Sequence, residues 1–88
     1  MKRRKPHVPY KLVIVEWDDS ARPSSAWEWV DEYEPPEAVE CVSVGYLIAK
    51  TERTLSIAAN LGDVTRDRVQ ASGIIQIPAC SVRSLVEL

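Results

Sequence analysis

Histidine, glycine and cysteine are all scarce in this 88-residue chain: one histidine, three glycines and two cysteines. The histidine, His7, stands in a proline-flanked arm between Pro6 and Pro9. A general base must be held in place, and such an arm does not hold one, so no nucleophile–base pair is expected. One histidine also leaves no metal-ligand cluster. Gly45, Gly62 and Gly73 are isolated from one another, which excludes the glycine-rich loops that cradle phosphates. Cys41 and Cys80 lack the C-x-x-C spacing of redox and zinc sites and do not make a disulfide framework. They are expected to be reduced, buried thiols acting as small hydrophobes. No apolar run approaches the ~20 residues of a membrane span. The basic start from Met1 to Lys5 leads into prolines and not into an apolar segment, so no secretory signal is expected. Together these absences point to a cytoplasmic protein without cofactors that is not an enzyme.

What is present is short and unevenly charged. A single core in a chain of this length supplies only roughly 3–5 kcal/mol of net stability, so a staple or an oligomer is the usual supplement. With neither metal nor disulfide, oligomerisation is the expected one. The net charge of −2 hides a partition. Lys2, Arg3, Arg4 and Lys5 form a basic start, whereas between Glu16 and Glu40 nine carboxylates face Arg22 alone. The acidic block opposes a continuous nucleic-acid groove on that face. Asp18 and Asp19 with Glu28, Asp31 and Glu32 would be a hard-cation site only if their oxygens converged. A solvated acidic face is the simpler expectation.

The pattern along the chain is that of an all-β protein. Tyr10 to Trp17 is rich in β-branched and aromatic residues and apolar on both pleat faces, which predicts a central strand covered on both sides. Ser25 to Glu28 fits a capping box opening a helix of one or two turns, with Trp29 and Tyr33 on one face and Pro35-Pro36 ending it. Ala38 to Lys50 reads as a long strand, in which Gly45 marks a bend or bulge. After a polar turn, Thr54 to Leu61 alternates, with Leu55, Ile57, Ala59 and Leu61 inward. A polar loop over 62–70 precedes a fourth strand, Ser72 to Ile77. A tight 3₁₀ turn at Pro78 to Ser81 leads to a fifth, Val82 to Leu88. The expected organisation is a flexible basic arm over residues 1–9 and one small five-stranded barrel over 10–88, with an insert at 18–37.

Val44-Gly45-Tyr46-Leu47 resembles the opening of the first signature of the Sm-like family. Ile77 to Val82 is similar in spacing to its second. The resemblance covers roughly residues 39–88 and implies a Sm-like (Src-homology-type) barrel with a short helix inserted between the first two strands. The aspartate and asparagine of the first signature are not in register here. Pro78-Ala79 replaces the basic residue and glycine of the second, so the resemblance does not extend to uracil binding. The same pieces, with Ile77-Pro78 and Val82-Arg83-Ser84-Leu85, also resemble small proteins of uncharacterised function encoded by tailed phages and prophages. That resemblance implies a viral origin, host cytoplasm and a ring-like homo-oligomer.

The residues suited to binding fall in two groups. Trp17, Trp27 and Trp29, with Tyr33, form an aromatic cluster that would either stack a base or anchor a subunit interface. Arg66 and Arg68 in the polar loop, with Arg83 from a neighbouring subunit, would either clamp a phosphate through their planar forks or belong to an ordinary loop neutralised by Asp63 and Asp67. The expected partners are therefore copies of the chain itself and a nucleotide or other small anion. Three functions follow: a homo-oligomeric assembly module, a counter-defence protein sequestering a nucleotide signal, and a single-stranded nucleic-acid binder using the basic arm.

Overall fold

The computed structural model describes residues 8–21 and 23–88. The expected basic arm from Lys2 to Lys5, His7 and Arg22 lie outside them. Five strands are present: β1 (Leu12–Asp19), β2 (Val39–Lys50), β3 (Thr54–Gly62), β4 (Gln70–Pro78) and β5 (Val82–Glu87). They form one antiparallel sheet in the order β4-β3-β2-β1-β5. The protein is thus all-β, as its alternating apolar pattern predicts.

The sheet is open, in contrast to the closed barrel expected. β4 and β5 are its two edges, and no pairing joins them among the described residues. The reason lies in the link between them. A single 3₁₀ turn, Ala79–Ser81, follows Pro78, and the amide of Ala79 donates to the carbonyl of Arg53 at 2.8 Å. That turn carries the chain away from β4, and β5 then pairs with β1 from Val82 to Glu87.

The inserted helix is also reduced. Between β1 and β2 there is only one 3₁₀ turn, Val30–Glu32, preceded by an extended Trp29 without a side-chain cap. Nucleating one or two helical turns is unfavourable unless an apolar face packs on something. Residues 23–40 are all exposed, so nothing offsets that cost.

The core is small and one-sided. Val13, Val15, Leu55, Ile57 and Ile77 are buried together, with Trp17, Leu47, Val82 and Leu85 packed against them. Val13 and Val15 stand opposite Gly45 and Ser43 on one neighbour and Glu87 and Leu85 on the other. Cross-strand partners share a face, so this is the covered face of the sheet. The expected inward set on β3 holds for Leu55 and Ile57, but Ala59 is exposed and Leu61 half-buried, whereas Ala58 is buried. Beyond Ala58 the β3–β4 hairpin runs past the core, and its partners Ser72 and Gln70 are exposed too. At its bend Gly73 takes a φ of +65°, and an added Cβ would lie 3.0 Å from the Cβ of Ala59. The irregularity expected at Gly45 falls slightly later, where the β2–β3 register shifts between Leu47 and Ala49.

The β2–β3 turn is closed by Thr51. Its Oγ1 accepts from the amides of Arg53 (3.2 Å) and Thr54 (3.0 Å). At the end of the sheet, Lys11 Nζ lies 2.7 Å from a carboxylate oxygen of Glu87. The hydrogen bond to Glu87, and then its charge, hold the Lys11 ammonium above its ordinary pKa of 10.5. A raised lysine value means that the pair's contribution is complete below pH 10.5 and is lost as pH rises through the folded value. Both side chains are mostly exposed, so the effect is small and screened by salt. NMR titration of Lys11 Nζ is expected to give a midpoint above 10.5 that falls back in Glu87→Gln.

Candidate binding surfaces

Three surfaces carry the candidate side chains. The first is the insert, residues 20–38. Trp27 is fully exposed, Trp29 is 76% exposed and Tyr33 50%. Trp27, Trp29 and Tyr33 line an open hollow of about 460 Å³ together with Glu28, Glu32 and Glu34. Stacking platforms for nucleic acid normally sit in a positive groove. This one is ringed by three carboxylates and has no basic residue in its lining among the described residues, so their electrostatics disfavour a phosphate-bearing ligand. Trp17 stands apart from these aromatics. It lies on the covered face of β1, half-buried, and its indole Nε1 donates to Ser43 Oγ at 3.0 Å. β1 alternates its side chains between faces, so Trp17 shares the inward side with Val13 and Val15.

The second surface is the β3–β4 loop. Asp63 adopts φ 53° there, its carbonyl accepts from the Arg66 amide at 2.9 Å, and its carboxylate accepts from Gln70 Nε2 at 2.5 Å. Asparagine and aspartate tolerate this left-handed conformation better than most residues. The loop so held brings Arg66 and Arg68 to one open hollow of about 670 Å³, lined also by Asp63 and Asp67. Neither arginine makes an ion pair among the described residues. Arg83 is not part of this site within one chain. It lies on β5, the opposite edge strand, where its Nε is 3.0 Å from Asp18 Oδ1.

The third surface was not picked out from the sequence: the second face of the sheet. The register sets Val86, Ile14 and Val44 in one row across β5, β1 and β2. The adjacent row runs Leu12, Tyr46, Ala58 and Ile74 across β1, β2, β3 and β4. Neither row carries a charge. Val44, Val86 and Ile74 are each more than half exposed. β1 was expected to be covered on both sides, and here only one side is. The signal was present in the unbroken Leu12-Val13-Ile14-Val15 run, but the run alone does not say what covers each face.

The acidic residues do not converge. Asp18 is engaged by Arg83, and Asp19 Oδ1 accepts from the amide of Ser20 at 2.8 Å. Among the described residues no group of three His, Cys, Asp or Glu could hold a metal ion. The cysteines also differ from expectation: Cys41 is half-buried, with its thiol 3.5 Å from the carbonyl of Val39, but Cys80 is exposed in the 3₁₀ turn. Both are free. A side chain in a one-turn link has too few neighbours to be covered. No helix among the described residues is long and apolar enough to cross a membrane. Compared with protein-family models, with curated proteins and with solved structures, the chain matches none of them.

Proposed function

We propose that this protein is a non-catalytic binding and assembly module, a phage-type Sm-like protein acting in the host cytoplasm as a ring-like homo-oligomer. The observation that carries the reading is the small one-sided core, in which Val13, Val15, Leu55, Ile57 and Ile77 are buried together. So few buried side chains leave little margin for a lone domain. The all-antiparallel strand order β4-β3-β2-β1-β5, with one 3₁₀ turn before β5, supports the Sm-like reading in an open form. The two free edges suit pairing between subunits. Native mass spectrometry at micromolar concentration is expected to show a single oligomer; a monomer would end this reading.

The Arg66–Arg68 hollow favours a second reading, in which the assembly sequesters a nucleotide signal and so blunts host defence. The loop is backbone-ordered by Asp63 and presents two planar cations to solvent. A ligand present at 100 times its dissociation constant stabilises by about 2.7 kcal/mol. A panel of cyclic di- and oligonucleotides and ADP-ribose derivatives is therefore expected to include one that raises the melting temperature by several degrees. That rise should be absent in Arg66→Ala/Arg68→Ala. No shift with any of them removes this reading and leaves the first intact.

A further inference from the structure

A small hollow of about 230 Å³ lies where the β2–β3 turn meets the 3₁₀ turn before β5, and it belongs to none of the three surfaces above. Its floor is apolar. Leu55 is buried at 3% exposure, and Ala79, Val82 and Leu85 are half-buried around it. Its rim carries Lys50, Thr51 and Thr54, with no carboxylate among the described lining residues. Backbone fixes the walls. The Thr51 amide donates to the Thr54 carbonyl and the Ala79 amide to the Arg53 carbonyl, both at 2.8 Å, so the two turns are tied to each other. The hydroxyls are ordered as well. Thr51 Oγ1 accepts from the amides of Arg53 and Thr54, which occupies both lone pairs of a hydroxyl oxygen. In its 3.0 Å contact with Thr54 Oγ1 it is therefore the donor. Thr54 keeps its own hydrogen for an acceptor outside this network. Lys50 Nζ makes no ion pair among the described residues.

One available O–H donor and one ammonium beside an apolar floor suit an anionic acceptor on a hydrocarbon body. We infer that the hollow is a binding site for a short-chain aliphatic monocarboxylic acid, its carboxylate at Lys50 and Thr54 and its chain on Leu55, Val82 and Leu85. Volume sets the length. At roughly 30 Å³ per heavy atom, the share of a water molecule in the liquid, 230 Å³ holds about eight heavy atoms, the size of hexanoate. Charge sets the head group, since a single ammonium matches a single negative charge. A nucleotide is too large for the space. The same carboxylate at the end of a peptide is disfavoured by the backbone. A bound peptide brings amide groups that need partners, and the turn amides of Thr51, Arg53, Thr54 and Ala79 are already engaged. The site lies within one chain and does not depend on the assembly proposed above.

NMR titration of the isotope-labelled full chain with sodium hexanoate tests this. Saturable shifts are expected at Thr54, Leu55, Ala79, Val82 and Leu85 at millimolar concentration, as fits so small a ligand. They should weaken as salt rises. Hexanol carries the same chain without the charge, and it should bind at least about three-fold more weakly. Lys50→Met keeps the stem and removes the ammonium, and it should abolish the difference between the two ligands. Lys50 is exposed, so this variant is expected to fold. Thr54→Val removes the hydroxyl at a strand position that suits valine, and it should weaken hexanoate as well. Equal binding of hexanol and hexanoate to the wild type, or hexanoate binding that survives Lys50→Met, would overturn the carboxylate assignment. The absence of saturable shifts at the hollow would overturn the site. N-acetyl-leucine presents the carboxylate on a peptide unit, and tighter binding of it than of hexanoate would overturn the free acid in favour of a peptide end.

Discussion

Ile77→Ala is expected to cost about 2–5 kcal/mol, most of the stability available to a single core of this size. Ile77 is the one residue of β4 that is fully buried, at 0% exposure. It stands directly opposite Leu55 and belongs to the cluster with Val13, Val15 and Ile57. Truncation leaves a cavity at the only point where β4 joins the core. The cavity cannot collapse easily, because Pro78 and the Ala79–Arg53 hydrogen bond fix the chain immediately after it. Ile75 is the control. It lies on the same face, opposite Ile57, but is 40% exposed. Its truncation should cost less than half as much, since the transfer free energy scales with the area removed from water. Urea unfolding followed by the emission of the half-buried Trp17 measures both. The comparison must be made at one protein concentration, because oligomerisation adds to apparent stability. Equal losses for Ile75→Ala and Ile77→Ala would show that the core extends further along β4 than the exposed residues 72–76 indicate.

The strands were legible because their signals are local. Period-two alternation and β-branched residues mark β1 to β5 within a residue or two of their ends, and Thr51 closes the turn between β2 and β3. Closure was not legible. Whether β4 meets β5 depends on where a one-turn link aims the chain, and nothing in Pro78-Ala79-Cys80-Ser81 encodes that aim locally. The helix failed for a related reason. Ser25 to Glu28 satisfies a capping pattern, but a cap contributes only about 1 kcal/mol, and no surface packs against the turns it would open. Proximity in sequence also misled for Trp17. Grouped with Trp27 and Trp29 by spacing, it is separated from them by the pleat of β1, which turns it toward Ser43. Arg66 and Arg68 do meet at one hollow because two residues of one loop need no tertiary pairing to do so. Arg83 required knowledge of the strand order. The apolar rows of the second face are likewise a property of register, since each strand contributes only one or two residues to them.

Gly45→Val is expected to separate β2 from β3, and it probes the register on which both faces depend. Glycine within a strand ordinarily weakens it, so replacement by a β-branched residue should be favourable by roughly 0.5–1 kcal/mol if space allowed. Space does not allow it. A Cβ at this position would lie 3.0 Å from the carbonyl oxygen of Ala58 and 3.2 Å from the Cβ of Ile57. The first of these is backbone, and it cannot yield without moving β3. The adjacent pairs Tyr46↔Ala58 and Leu47↔Ile57 would then have to part. Alanine already meets this obstacle, and an overpacked core position of this kind costs typically about 1–3 kcal/mol. Valine adds two methyl groups against Ile57 and should cost more than alanine. The reversal of the ordinary strand preference is what identifies close approach, and not conformation, as the reason for glycine. Hydrogen exchange locates the damage. The amides of Tyr46 and Ala58 should lose protection in Gly45→Ala, while the Leu47 amide, which donates to the Lys11 carbonyl on the β1 side, and the β1–β5 pairing from Val13 to Trp17 keep it, because they lie away from β3. Uniform loss across the sheet would mean that the strands open together, and a gain in stability would mean that β3 can shift to admit the side chain. The predicted gradient, with β3 and β4 loosening ahead of β1 and β5, follows from a core so small that one backbone contact decides which strands share it.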